Sequence, residues 1–560
     1  MAKHLRSIFE PGSTRSAVRR SQWLAMGLSE ADFDKPKVAV VNSSSNISVC
    51  YRHLDSVSTV VQQAIRDAGG VAFEIHTVAP SDFITSAGQQ GRYLMPSRDL
   101  LVNDVEAMVE GAELDAMVLL ASCDKTTPAQ LMAAGRLNVP SIVVPCGYQL
   151  GSSCGDHGVD IEDVYKSVGT VKAGRMTVDE LEEMTRRAIR GPGVCAGLAT
   201  ANTMHCLAEA LGMALPGSAP IRAGSDRMYD NAKAAGRRII ELVEQGLSPR
   251  AVMTPAAFRN AVSFAVAVGG SVNCVRHLVA TAIESECRVD VLAELRRIAP
   301  AIPQLTQIRP NGPDRIEDLE RAGGCAGVLR ELRSLLELDA VTVSGETLGD
   351  ILDRTPDPDR SIIRPLEDPF YDEPGLILID GNLAPEGAIV KLSAVPRSIR
   401  RFAGPARVFE DEAEAIEGLQ SGTVRPGDVV VLRMLGPVGG PGTVFAASFM
   451  AALVGAGLGD QVAVVTDGEL SGLNSGITIG QVMPEAAAGG PLAVVRDGDQ
   501  VIIDISRHSI QLDIDENELT QRLAKWVPNL KPARPGWLSL YRQLVQPLSR
   551  GAVLGRREDP

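Results

Sequence analysis

Three cysteines, Cys50, Cys123 and Cys195, occupy places where an α/β sheet presents its ligand-binding edge. Cys50 follows the run ending in VNSSSNISVC, Cys123 ends AMVLLASC, and Cys195 sits in the Gly-rich turn GPGVCAG ahead of a helical segment. Thiols so placed are either metal ligands or buried structural residues, and for any single one the structural reading is the more ordinary. Spacing alone does not decide. Asp124 and Lys125 directly follow Cys123, and Asp82 lies in HTVAPSDFITS. Taken by itself, Lys125 reads as the salt-bridge partner of Asp124 or Asp82. Ser471, in TDGELSG, precedes a glycine and by itself reads as a turn residue.

The elements that must position these residues alternate. VAVVNSS (38–44), VAFEIHT (71–77), AMVLLAS (116–122) and SIVVPC (141–146) read as buried strands. Segments near 54–68, 98–110 and 128–137 read as helices, because their apolar residues recur at three and four. Such alternation implies a parallel sheet covered on both faces. Further helices are expected at about 176–190, 200–214 and 226–246. The Pro- and Asp-rich stretch RTPDPDRSIIRPLEDPFYDEPG (354–375) reads as a linker. Beyond it, LILID, AIVKLSAV, DVVVLRML, VAVVTDG, ITIGQV, LAVVRDGDQVIIDI and SIQLDI are short strands between turns, a pattern of a smaller β-rich barrel or sandwich. The expected fold class is therefore α/β, a large parallel-sheet domain over 1–365 followed by a β-rich domain over 375–560.

Composition narrows the function. A chain of 560 residues with 45% hydrophobic and 22% charged residues is that of a globular protein. The net charge of −14 opposes broad attraction to nucleic acid. Runs such as Arg397 to Arg401 are too short to reverse that. Only 4% of residues are aromatic, which leaves little stacking surface for single strands or sugar rings. The apolar stretch from Met450 to Leu458 is too short and Gly-rich to span a bilayer, and the first residues lack the apolar core of a secretory signal. Cytoplasm is the expected compartment, with no membrane or nucleic-acid partner. Nine cysteines without a C-x-x-C pair favour neither a disulfide framework nor a zinc ribbon.

The wider context of the cysteines resembles one family. CDKTTPAQLMAAGRLNVPSIVVP and GPGVCAGLATANTMHCLAEALGMALPGSAP are similar to the best-marked segments of the dihydroxy-acid and 6-phosphogluconate dehydratases. RYLMPSRD, VGGSVNCVRHL, GNLAPEGAIVK, VGAGLGDQVAVVTDGELSG and MPEAAAGGPLAVVRDGD follow in family order. TANTM and ALPGSAP place the resemblance nearer the dihydroxy-acid branch. It implies a [2Fe–2S] cluster on Cys50, Cys123 and Cys195, where three thiolates instead of four leave one iron open as a Lewis acid. It also implies an Mg2+ site on Asp82, Asp124 and a carbamylated Lys125, and Ser471 as the base, its alkoxide stabilised by nearby cations and donors. His53, in CYRHL, matches a family histidine and is assigned a supporting hydrogen bond. Cys146, Cys154, Cys206, Cys274, Cys287 and Cys325 match no ligand position. The partners implied are a small hydroxy-acid substrate and further copies of the chain, as a homodimer or dimer of dimers.

The match fails in one region. The family's T-D-G-R-F-S-G-G is T-D-G-E-L-S-G-L here, with Glu469, Leu470 and Leu473 at the changed positions. Phe445 stands where a glutamate would complete the cation site, Gln481 replaces a histidine, and Val49 and Tyr51 flank Cys50 in place of Pro and Asn. Glu469 is the new acid nearest Ser471 and a candidate replacement ligand. These changes imply a specialised paralogue of the housekeeping enzyme of valine and isoleucine synthesis. The expected reaction is dehydration of a 2,3-dihydroxy acid to a 2-keto acid. An aldonic acid is the alternative substrate, and a non-catalytic iron–sulfur protein acting as redox sensor or structural element is the competing class.

Overall fold

The computed structural model describes residues 5–79, 81, 84, 88–154, 157–310, 312–470 and 476–555. Four strands, β1 (Lys37–Asn42), β2 (Val71–His76), β3 (Ala116–Ala121) and β4 (Ser141–Pro145), form an all-parallel sheet in the order β2-β1-β3-β4. β1, β3 and β4 are buried along their whole length, as strands covered on both faces must be, whereas the edge strand β2 is partly exposed. Helix Leu54–Asp67 packs against helix Asp226–Gln245 on one side. The contact is close because Gly236 has no side chain: a Cβ there would lie 2.8 Å from the Ala64 Cβ. A two-stranded ribbon, β5 (Ser152–Cys154) with β6 (His157–Val159), follows β4.

The second half closes on itself. β7 (Leu376–Gly381), β8 (Ala384–Lys391), β9 (Arg401–Phe409), β10 (Val429–Leu432), β11 (Ala463–Thr466), β12 (Thr478–Met483), β13 (Gln500–Asp504) and β14 (Ser509–Leu512) form a closed barrel in the order β10-β11-β12-β8-β7-β14-β13-β9. Alternation sorts its side chains. Val429, Val431 and Val465 join Ile377, Ile379, Val501 and Ile503 in one cluster, while Val430, Leu432 and Val464 pack with Phe449 and Leu453 of helix Ala447–Gly455 in another. Barrel, not sandwich, is thus the architecture.

Arg98 joins the two halves. It is fully buried in helix Leu94–Ala112, and its Nη2 donates to the carbonyls of Gly551 and Ala552 at 3.0 and 2.8 Å and to Asp99 at 3.2 Å. Replacing Arg98 by Met leaves Asp99 buried without its cation and two carbonyls without donors. The expected loss is about 3–5 kcal/mol, measured as a lowered denaturation midpoint; an unchanged midpoint would show that the C-terminal segment does not depend on this anchor.

Candidate active site

The turns that carry the three cysteines are stitched together by backbone and side-chain hydrogen bonds. Ser122 Oγ donates to the Cys50 carbonyl at 2.5 Å, and the Gly193 amide donates to the Val49 carbonyl at 3.3 Å. His205 Nε2 donates to the Ser122 carbonyl at 2.8 Å, and Asn202 Nδ2 donates to the carbonyls of Cys195 and Gly197 at 2.7 and 2.8 Å. Both donors lie on helix Thr200–Ala210, so the element that follows Cys195 also fixes the turn around Cys123. The threonines of CDKTTP close that turn, with Thr126 Oγ1 donating to the Cys123 carbonyl at 3.1 Å. Cys50, Cys123 and Cys195 are all buried. His53 Nε2 donates to the Cys146 carbonyl at 2.6 Å and leaves its Nδ1 unpartnered. Burial lowers the His53 pKa, so this donor pattern belongs to the neutral ring.

Beside this patch lies a buried polar network. Lys125 Nζ is 2.8 Å from Asp124 Oδ2, 3.1 Å from Glu469 Oε1 and 3.4 Å from His277 Nε2. Arg276 pairs with the same Glu469 oxygen, leaving Glu469 Oε2 without a partner among the described residues. Burial pulls the Lys125 ammonium down to about 8 and holds His277 neutral, helped by the neighbouring cations. A donor faces each nitrogen of the His277 ring. Arg98 Nη1 stands 3.3 Å from Nδ1 and Lys125 Nζ 3.4 Å from Nε2, and the neutral ring can accept from only one of them. One of the two contacts is therefore donor against donor while Lys125 is an ammonium. An acceptor on Lys125 would relieve it.

The barrel supplies the third side of the site. Asp467 accepts from the amides of Met434, Leu435 and Ala486 at 3.2, 3.0 and 2.9 Å, and Glu485 accepts from the amides of Val438 and Gly439 at 3.1 Å. Burial raises Asp467 to about 6. These two acids fix the loops on either side of Phe445 and Glu469, which face each other as bridge partners. The Phe445 ring centre is 5.2 Å from Lys125 Nζ. Asn273 Nδ2 donates to the Leu470 carbonyl at 3.0 Å, and Gln481 Nε2 in turn donates to Asn273 Oδ1 at 3.1 Å. The residue before Ser471 is therefore held by a buried amide pair.

Sequence comparison gives this arrangement its class. The family pattern for the dihydroxy-acid/6-phosphogluconate dehydratase N-terminal region matches residues 35–351, and that for the C-terminal region matches 361–552. The chain is 41% identical to the dihydroxy-acid dehydratase of Ignicoccus hospitalis over 543 residues, 96% of this chain and 98% of that protein. It is 42% identical to the dihydroxy-acid dehydratase of Methanothermobacter thermautotrophicus over the same share of both chains. The chain belongs to the dihydroxy-acid/6-phosphogluconate dehydratase family. This family member differs from the expected pattern where its network is densest, at Phe445 and Glu469.

Asp82 and Ser471 lie outside the described residues. Among the described residues no group of three or more His, Cys, Asp or Glu side chains is close enough to hold one metal ion. The structure does bring the backbones of the three cysteine turns together, and it places Asp124 and Lys125 in contact. The ordinary salt bridge expected of Lys125 is present, with Glu469 as a second carboxylate. Of the other thiols, Cys146, Cys206, Cys274 and Cys325 are buried and Cys287 partly so, and burial raises the pKa of each, as for inert structural cysteines. The Cys154 side chain lies outside the described set. Arg98, Arg276 and His277 had no assigned role in the sequence. Their signal was present in RYLMPSRD and VGGSVNCVRHL, where charged residues interrupt apolar helices.

Proposed function

We propose that the chain, a hydro-lyase of the dihydroxy-acid dehydratase type, removes water from a small 2,3-dihydroxy carboxylic acid to give a 2-keto acid. Cys50, Cys123 and Cys195 would hold a [2Fe–2S] cluster. Their soft thiolates suit iron, and their turns are already hydrogen-bonded to one another. Asp82, Asp124 and Lys125 as a carbamate would hold Mg2+. The donors facing both nitrogens of His277 are the observation that supports this assignment, because a carbamate oxygen in place of the Lys125 ammonium would relieve that conflict.

When bound, the two centres supply Lewis acidity toward the substrate carboxylate and hydroxyls. Ser471 takes the C2 proton as the C2–H bond breaks. The C3–O bond breaks, and the 3-hydroxyl leaves with a proton as water. The resulting enol tautomerises, receiving a proton at C3. Asn273 fixes the Leu470 carbonyl just before Ser471, and Asp467 holds the amides of Met434, Leu435 and Ala486. A further copy of the chain is the expected partner, as a homodimer or dimer of dimers. A panel of branched 2,3-dihydroxy acids and aldonates, assayed without oxygen for 2-keto acid, tests the reading. Turnover of a branched dihydroxy acid is the expected result; turnover of aldonates alone would move the substrate class, and none with any member would leave a non-catalytic iron–sulfur protein.

A further inference from the structure

We infer that Glu469 is the barrel-side carboxylate of the cation site, an ion-pair partner of Lys125 that becomes a cation ligand when Lys125 carries CO2. This inference rests on the carbamate reading of Lys125 given above. Glu469 is fully buried, and only its Oε1 is engaged, by Lys125 and Arg276. Among the described residues its Oε2 meets no donor, and Arg276 Nε and Nη1 are likewise unpartnered. An orphaned carboxylate oxygen at zero exposure is costly unless something absent from the bare chain satisfies it.

Charge among the described residues points to a cation. Among the described residues, the connected network holds three cations, Lys125, Arg276 and Arg98, against three anions, Asp124, Glu469 and Asp99. It is balanced while Lys125 is an ammonium. Carbamylation forms an N–C bond between the Lys125 nitrogen and CO2 and releases two protons from the ammonium to solvent. The side chain changes from +1 to −1, so the described part of the network becomes net negative, which favours a bound cation. Phe445 cannot supply the carboxylate from its own position, but it is the bridge partner of Glu469 and packs over Lys125. The acid has thus moved across one bridge, with Arg276 steadying it.

The test is Mn2+ binding to anaerobically purified, chelator-treated protein in bicarbonate, read from the EPR signal of free Mn2+, for wild type, Glu469→Gln and Glu469→Asp. Folding of each is checked by circular dichroism and cluster absorbance. Glu469→Gln should weaken binding by about tenfold or more. Glu469→Asp keeps the charge but withdraws the carboxylate by one methylene, and should weaken it by about threefold or more. Adding Phe445→Glu to the Gln variant should recover most of the loss. Should the Gln variant not fold, the Asp variant decides alone. Wild-type binding with both single variants within about twofold of it overturns the role of Glu469 and leaves the cation site standing. No Mn2+ binding by wild type overturns both.

Discussion

Replacing Ser471 by Ala is expected to lower kcat by about 100- to 10,000-fold, with the visible spectrum and the unfolding midpoint unchanged. The residue is proposed to move a proton and to ligate nothing, so its loss should leave cluster and fold alone. A serine hydroxyl functions as a base only where positive charge and donors stabilise its alkoxide. The reversal from Arg to Glu two residues earlier does not oppose this, because the Glu469 carboxylate is turned onto Lys125 and Arg276 and does not stand as uncompensated charge. The Asn273–Gln481 amide pair then fixes the backbone immediately before the serine. A fall of less than about tenfold would assign the base to another residue.

Replacing Cys123 by Ser is expected to remove the iron. Protein purified without oxygen should be brown, with about two irons per chain, and the variant should be colourless after the same reconstitution. The effect should be all-or-none because Cys123 lies in the turn tied to both others, through Ser122 to Cys50 and through His205 to the helix that holds Cys195. Cys146→Ser is the matched control, since that thiol is buried and assigned no ligand role. Full iron retention in a triple Cys50, Cys123, Cys195 variant would refute the assignment.

The sheet was legible because its strands are continuous apolar runs, and the parallel order follows from helices placed between them. The barrel was harder to read. β9, RFAGPARVF, contains Gly404 and Pro405, which ordinarily weigh against a strand, yet it pairs with both β10 and β13 and is needed for closure. LAVVRDGDQVIIDI reads as one strand, but Pro491–Val494 is a single 3-10 turn and only Gln500–Asp504 is β13. Local composition cannot report the long-range pairing that decides such cases. The site divides the same way. Cys123, Asp124 and Lys125 were readable because they are contiguous in a marked motif, whereas the meeting of Lys125 with Glu469 and His277 spans 344 and 152 residues of chain. The changes at Phe445 and Glu469, which looked independent in sequence, are neighbours across one bridge.

The most direct test of the central claim is to incubate the anaerobic protein with a branched 2,3-dihydroxy acid in D2O and identify the product by mass spectrometry. Dehydration through an enol predicts a 2-keto acid lighter than its substrate by one water and carrying one deuterium at C3. A product that retains the 3-hydroxyl, or no product from protein with a full complement of iron, would contradict it.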